Sequence, residues 1–111
     1  MRVGSVIEIK PEKISEYNQL HANQWPEVTT ALTQARLHNY SIYLRQLPDG
    51  KHYLFSYYEY RGTDYQSDMD TLAKNPKIQQ WWDICKPMHL PFEDRAEHEW
   101  WAEMEEVFHQ D

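Results

Sequence analysis

Apolar and polar positions alternate with period two at the start of the chain, Val3, Ser5, Ile7 and Ile9 against Gly4, Val6, Glu8 and Lys10. That is the pattern of a strand with both faces partly covered. The period then changes. Pro11 suits the first helical position, Glu12 suits the positive end of the helix dipole, and Ile14, Tyr17 and His21 recur at helical spacing, so a first helix is expected over about Pro11 to Gln24. Trp25 precedes a proline and is pushed out of helical geometry, while Pro26 opens a second helix through Ala35. A bend therefore falls beside His21.

Alternation returns from Leu37 to Leu47, with His38, Tyr40, Ile42 and Leu44 against Asn39, Ser41, Tyr43 and Arg45, and Pro48-Asp49-Gly50 has the chemistry to reverse the chain. If the hairpin loop is Asp49-Gly50 alone, Leu44 faces Phe55, Ile42 faces Tyr57 and Tyr40 faces Glu59, which sets a carboxylate beside a phenol. A three-residue loop turns Glu59 away. Thr63 and Gln66 have capping-box spacing ahead of the stripe Tyr65, Met69, Leu72, Ala73, predicting a helix over about Asp64 to Lys74. Asn75-Pro76 starts another, carrying Ile78, Trp81, Trp82 and Cys85 and stopping at Pro87. His89 to Glu99 reads as a surface loop, and Trp101 to His109 as a last strand with Met104, Glu106 and Phe108 on one face.

The order β, paired helices, β-hairpin, paired helices, β is an α+β, ferredoxin-like βαββαβ plan, a sandwich with its helices on one face of an antiparallel sheet. No repeat or linker interrupts it, so residues 1–111 form one domain. Strands this rich in Tyr, Phe and Ile would leave a large wet apolar patch on the other face, and a second copy of the chain is the economical cover.

Composition narrows the partners. Hydrophobic residues make up 41% of the 111, with only 3 Gly, which excludes a disordered class. A formal net charge of −7 with scattered Lys and Arg argues against nucleic acid and anionic membranes and favours a neutral ligand. Cys85 is alone, so a reducing compartment is the simpler assumption and a buried structural thiol the simpler role. The N-terminal apolar run is too short for a signal peptide and 18 apolar residues accumulate nowhere, so a soluble cytoplasmic protein is expected. The six histidines lack metal-ligand spacing and no glycine-rich loop offers a phosphate cradle, which points to an unphosphorylated substrate with neither metal nor nucleotide.

Residues four apart share a helix face, so Tyr17, His21 and Trp25 can present a hydroxyl, an imidazole and an indole in one line. A pyranose wants such a mixture, because its C–H faces pack on aromatic rings while its hydroxyls need directed partners. Ordinary core packing explains the same spacing. Trp81 and Trp82, about 100° apart on a helix, cannot share a contact; one can enter the core and the other line a cavity, and the sequence leaves open which.

Taken in order, Tyr17-x-x-x-His21-x-x-x-Trp25-Pro26-Glu27, His38-Asn39-Tyr40-Ser41-Ile42-Tyr43-Leu44, Trp81-Trp82 and Glu106-Val107-Phe108 resemble the L-rhamnose mutarotases almost end to end. The resemblance implies a cytoplasmic homodimer of ferredoxin-like subunits, a dimeric α/β-barrel, that interconverts the anomers of a 6-deoxy sugar without a cofactor. It implies His21 as proton donor and Tyr17, Tyr40, Trp81 and Trp82 as substrate-binding residues. An unperturbed imidazole titrates near 6.5, which suits the donor role. Glu59 is added from the conditional hairpin register, as a base or as the partner of one. Competing expectations are a mutarotase for another 6-deoxy sugar such as L-fucose, a cofactor-free monooxygenase or haem-degrading barrel, and a non-enzymatic sugar-binding barrel.

Overall fold

A computed structural model describes all residues, Met1–Asp111. Strand β1 (Arg2–Ile9) leads through a 3₁₀ turn (Pro11–Lys13) into helix α1 (Ile14–Ala22), followed by α2 (Pro26–Gln34), β2 (Leu37–Gln46), β3 (His52–Tyr60), α3 (Tyr65–Lys74), α4 (Pro76–Cys85), β4 (His89–Leu90) and β5 (Ala102–Met104). The strand order is β2-β3-β1-β4, antiparallel, with β5 also on β1. Two short strands thus share one edge of β1, β4 beside Glu8 and Ile9, β5 beside Gly4 to Val6.

Helix ends follow local chemistry. Trp25, held extended before Pro26, separates α1 from α2. The cap of α3 is Asp64 rather than the expected Thr63, its carboxylate accepting from the Ser67 amide at 3.1 Å. Asn75 caps α4 the same way, Oδ1 accepting from the amides of Lys77 (2.9 Å) and Ile78 (3.3 Å).

All four helices pack on one sheet face. Val3, Ser5 and Ser56 are buried on this face, and Ile7, Ile9 and Leu54 form one core with Tyr17, Val28, Ala31, Leu72, Ile78 and Trp81. Because β1 and β3 pair Ser5 with Ser56, two buried hydroxyls lie side by side in this otherwise apolar layer.

The hairpin register differs from the two-residue-loop expectation. Gln46 pairs with His52, so the connection runs from Leu47 to Lys51, with Gly50 at φ 83°. Leu44 therefore opposes Leu54, and Ile42 opposes Ser56. Further along, β2 bulges: His38 opposes Glu59 and Ser41 opposes Tyr57, leaving Asn39 and Tyr40 opposite Tyr58 alone, with Asn39 at φ 50°. The extra residue moves His38 to the face opposite Leu37 and Ile42. The register set by the Leu47–Lys51 connection already places Tyr40 opposite Tyr58, so Tyr40 does not meet Glu59.

Two C-terminal expectations also change. The last strand stops at Met104, with Arg2 Nε donating to Glu106 at 2.9 Å just beyond, and Val107 and Phe108 lie 89% and 77% exposed. His89, expected in a surface loop, is only 6% exposed because the chain after α4 dips back to the sheet as β4. A two-residue strand is too short to show a period.

Candidate active site

Helix α1 ends just past His21, and the break before Pro26 leaves this turn facing the groove between α2, α4 and β2. His21 stacks on Tyr17, ring centroids 4.2 Å apart at 29°. Its Nδ1 lies 2.9 Å from the Tyr17 carbonyl oxygen, which can only accept, so Nδ1 carries the hydrogen. That leaves Nε2 as the nitrogen that exchanges protons. Burial lowers the His21 pKa, opposed by the bond to the carbonyl, so the ring rests neutral at pH 7.

Trp81 is 5% exposed, its indole edge-on to His21 (5.3 Å) and to Trp25 (5.1 Å). Trp25 thus backs Trp81 and fixes the wall behind the imidazole. Trp82, one residue on, is half-buried, and the Lys86 ammonium sits 5.2 Å from its ring centroid. Tyr40 packs its ring 5.2 Å from Tyr58. As a whole residue it is 42% exposed, while desolvation pushes its phenol up to about 12.

Tyr17, His21, Tyr40, Trp81 and Trp82 all line a single cavity of about 450 Å³. A monosaccharide fits in that volume, with indole and aliphatic walls for its C–H faces and two phenols and an imidazole for its hydroxyls. Tyr40 and Trp82 also wall a second cavity of about 430 Å³, where Ser5, Ser56, Trp100 and Trp101 join them. Of these four, Ser5 falls in the alternation of β1, whereas Trp100 carried no periodic signal.

Glu59 does not join the site. It lies on the far face of the sheet, its carboxylate accepting from Asn39 (3.0 Å), Tyr57 (2.9 Å) and Arg61 (2.9 Å). Those donors, Arg61 first, hold it down at about 2, too weak a base for neutral chemistry. The longer hairpin connection is the physical reason: with Leu44 opposite Leu54 and Ile42 opposite Ser56, Tyr40, Ile42 and Leu44 of β2 share a face with Tyr58, and Glu59 falls on the other face beside Asn39.

His89 was missed. Its Nε2 lies 3.1 Å from the Tyr17 hydroxyl, and Trp100 Nε1 donates to its Nδ1 at 3.1 Å. Burial, with the nearby His21 and Lys86, pulls its pKa down to about 4. Tyr17 itself is 3% exposed and its phenol is raised above the ordinary range by the same loss of water. Cys85 is buried and its thiol pushed up to about 11, an inert state for a nucleophile. No group of three or more His, Cys, Asp or Glu converges as a metal cage, and no helix is long and apolar enough to cross a membrane.

A family model described as L-rhamnose mutarotase matches residues 2–110. An L-rhamnose mutarotase of Oceanobacillus iheyensis is 32% identical over 110 residues, covering 99% of this chain and 98% of that protein. One from Lactiplantibacillus plantarum is 30% identical, covering 100% and 99%. The crystal structure of an L-rhamnose mutarotase from Formosa agariphila is similar in fold, with a TM-score of 0.73 at 22% identity over 100% of this chain and 99% of that one.

Proposed function

Since this chain belongs to the L-rhamnose mutarotase family, we propose that it interconverts the α and β anomers of L-rhamnopyranose in the cavity that Tyr17, His21, Tyr40, Trp81 and Trp82 enclose. The observation that carries the reading is His21: its Nδ1 hydrogen is committed to the Tyr17 carbonyl, it rests neutral, and it faces a sugar-sized space.

The chemistry balances on one nitrogen. Neutral Nε2 takes the proton from the anomeric hydroxyl; as C1=O1 forms, the C1–O5 bond breaks and its electron pair goes to O5. The imidazolium just made then donates its proton to O5. After rotation about C1–C2 the same steps run backward and close the ring on the other carbonyl face. The hydroxyls of Tyr17 and Tyr40 donate hydrogen bonds to whichever oxygen is momentarily negative, a role that costs neither phenol its proton. Trp82 and the cavity's aliphatic wall take the C–H faces and the 6-methyl group.

The protein acts as a cytoplasmic homodimer on a neutral monosaccharide. Supporting the dimer, the sheet face away from the helices carries Val6, Phe55, Tyr57 and Tyr43, with Tyr43 62% exposed, and Val107 and Phe108 are exposed as well. The test is saturation-transfer proton NMR between the anomeric signals of L-rhamnose and of L-fucose, with and without protein. Faster exchange on L-rhamnose is expected; equal rates with and without protein on both sugars would remove the reaction.

A further inference from the structure

The geometry points to His89 and Trp100 as positioning residues that hold the Tyr17 hydroxyl as an obligate hydrogen-bond donor to the sugar. This rests on the reaction above, and follows from which atoms can donate. Indole Nε1–H has no lone pair to offer, so the 3.1 Å contact with His89 makes His89 Nδ1 the acceptor and leaves it without a hydrogen. Neutral His89 must then carry its hydrogen on Nε2. That hydrogen points at the Tyr17 oxygen 3.1 Å away, so Tyr17 accepts from His89 and its own proton is free.

Without the indole, the imidazole could take the other tautomer, and Tyr17 would spend its proton on Nε2. The three residues come from α1, β4 and the segment before β5, tied 72 and 11 residues apart in sequence. Burial reinforces the arrangement: His89 is 6% and Tyr17 3% exposed, so water does not supply alternative partners freely. The His89 ring also packs edge-on to Tyr17 (5.3 Å) and Trp101 (5.4 Å), which restrains it from flipping. Tyr17 touches the sugar; His89 and Trp100 act through it.

The first experiment is imidazole ¹⁵N NMR of the sugar-free protein at pH 7. The expected spectrum shows His89 neutral with hydrogen on Nε2 alone; hydrogen on Nδ1 would overturn the proposal. Anomer exchange is then measured for Trp100→Phe, His89→Gln and His89→Phe. Gln places an N–H where Nε2–H stood, so His89→Gln should keep most of the rate, while His89→Phe loses about tenfold in kcat with a smaller change in KM. Trp100→Phe, which keeps the ring, should mix the His89 tautomers and lower kcat several-fold. An unchanged tautomer and rate in Trp100→Phe would also overturn the assignment, even if His89→Phe fails to fold. Wild-type protein that does not speed exchange removes the reaction instead, and the sugar-free spectrum still decides the hydrogen-bond assignment.

Discussion

His21 Nδ1 and the Tyr17 carbonyl oxygen are 2.9 Å apart, one helical turn back along α1, so the imidazole is oriented by the backbone of the residue whose phenol it stacks upon. Exchanging His21 for Ala removes the proton-carrying nitrogen and leaves this helix otherwise intact. Catalysed anomer exchange should fall by about 10²–10⁴-fold, the usual worth of a general acid–base group. Melting should change little, because His21 is partly exposed. A folded His21→Ala protein exchanging at the parental rate would exclude this histidine from the mechanism.

Trp81 and Trp82 should respond unequally. Trp81→Ala empties a core position and should cost roughly 3–5 kcal/mol of stability. Trp82→Ala removes a half-buried ring from the edge of the core and should weaken sugar affinity with a smaller change in melting than Trp81→Ala, the affinity loss being greater for L-rhamnose than for L-mannose, whose 6-hydroxyl buries less apolar surface. Thermal melts and exchange rates on both sugars separate the two effects; a Trp81 variant that melts like the parent contradicts its burial.

Stability should depend on pH through His89. Its pKa is about 4 in the fold and about 6.5 in an unfolded chain, so the unfolded chain takes up the proton first as pH falls. The stabilisation is complete above about pH 6.5 and is lost between 6.5 and 4, amounting to roughly 3 kcal/mol. The charged or titratable groups around it are Tyr17 and His21 from α1 and Lys86 from the end of α4; His21, also lowered, adds in the same direction. Comparing melting temperatures of wild type and His89→Gln across that window isolates the His89 share, and parallel curves would contradict its neutral burial.

Glu59→Gln should leave anomer exchange unchanged, because the carboxylate serves Arg61, Asn39 and Tyr57 on the far sheet face. A large loss of kcat in a well-folded Glu59→Gln protein would return it to the site.

Light scattering should give twice the 13.5 kDa monomer mass, and Phe55→Glu, a charge on the uncovered sheet face, should shift the protein toward monomer. A parental protein that stays monomeric at micromolar concentration would contradict the dimer.

Much of this was legible in the chain because each long element kept one period. The strand at Val3 to Ile9, the proline break after Trp25 and the Asn75-Pro76 restart are local chemistry, and the structure has all three. The line Tyr17 to His21 survived for the same reason. What alternation cannot reveal is a bulge: nothing in His38-Asn39-Tyr40 announces that Asn39 takes φ 50° and turns His38 to the far face, and nothing in the alternation fixes the length of the connection after Gln46, which moved Glu59 away from Tyr40. His89 and Trp100 were hidden differently. Their partnership with Tyr17 is made across the fold, between a two-residue strand and an irregular segment, where no periodicity exists to read.

The bulge also makes Tyr40 unlike its neighbours in the cavity. Leu37 on one side and Ile42 on the other are locked by paired strands, whereas Tyr40 rides on the single stretch of β2 that holds a surplus residue. Deleting Asn39 would restore an even ladder, keep Leu37 and Ile42 on the core face, take one donor from Glu59 and change the aim of one phenol. On the function proposed above, the loss or gain of a single codon at this spot would re-aim a phenol at the sugar, a change in the cavity that no point substitution reproduces.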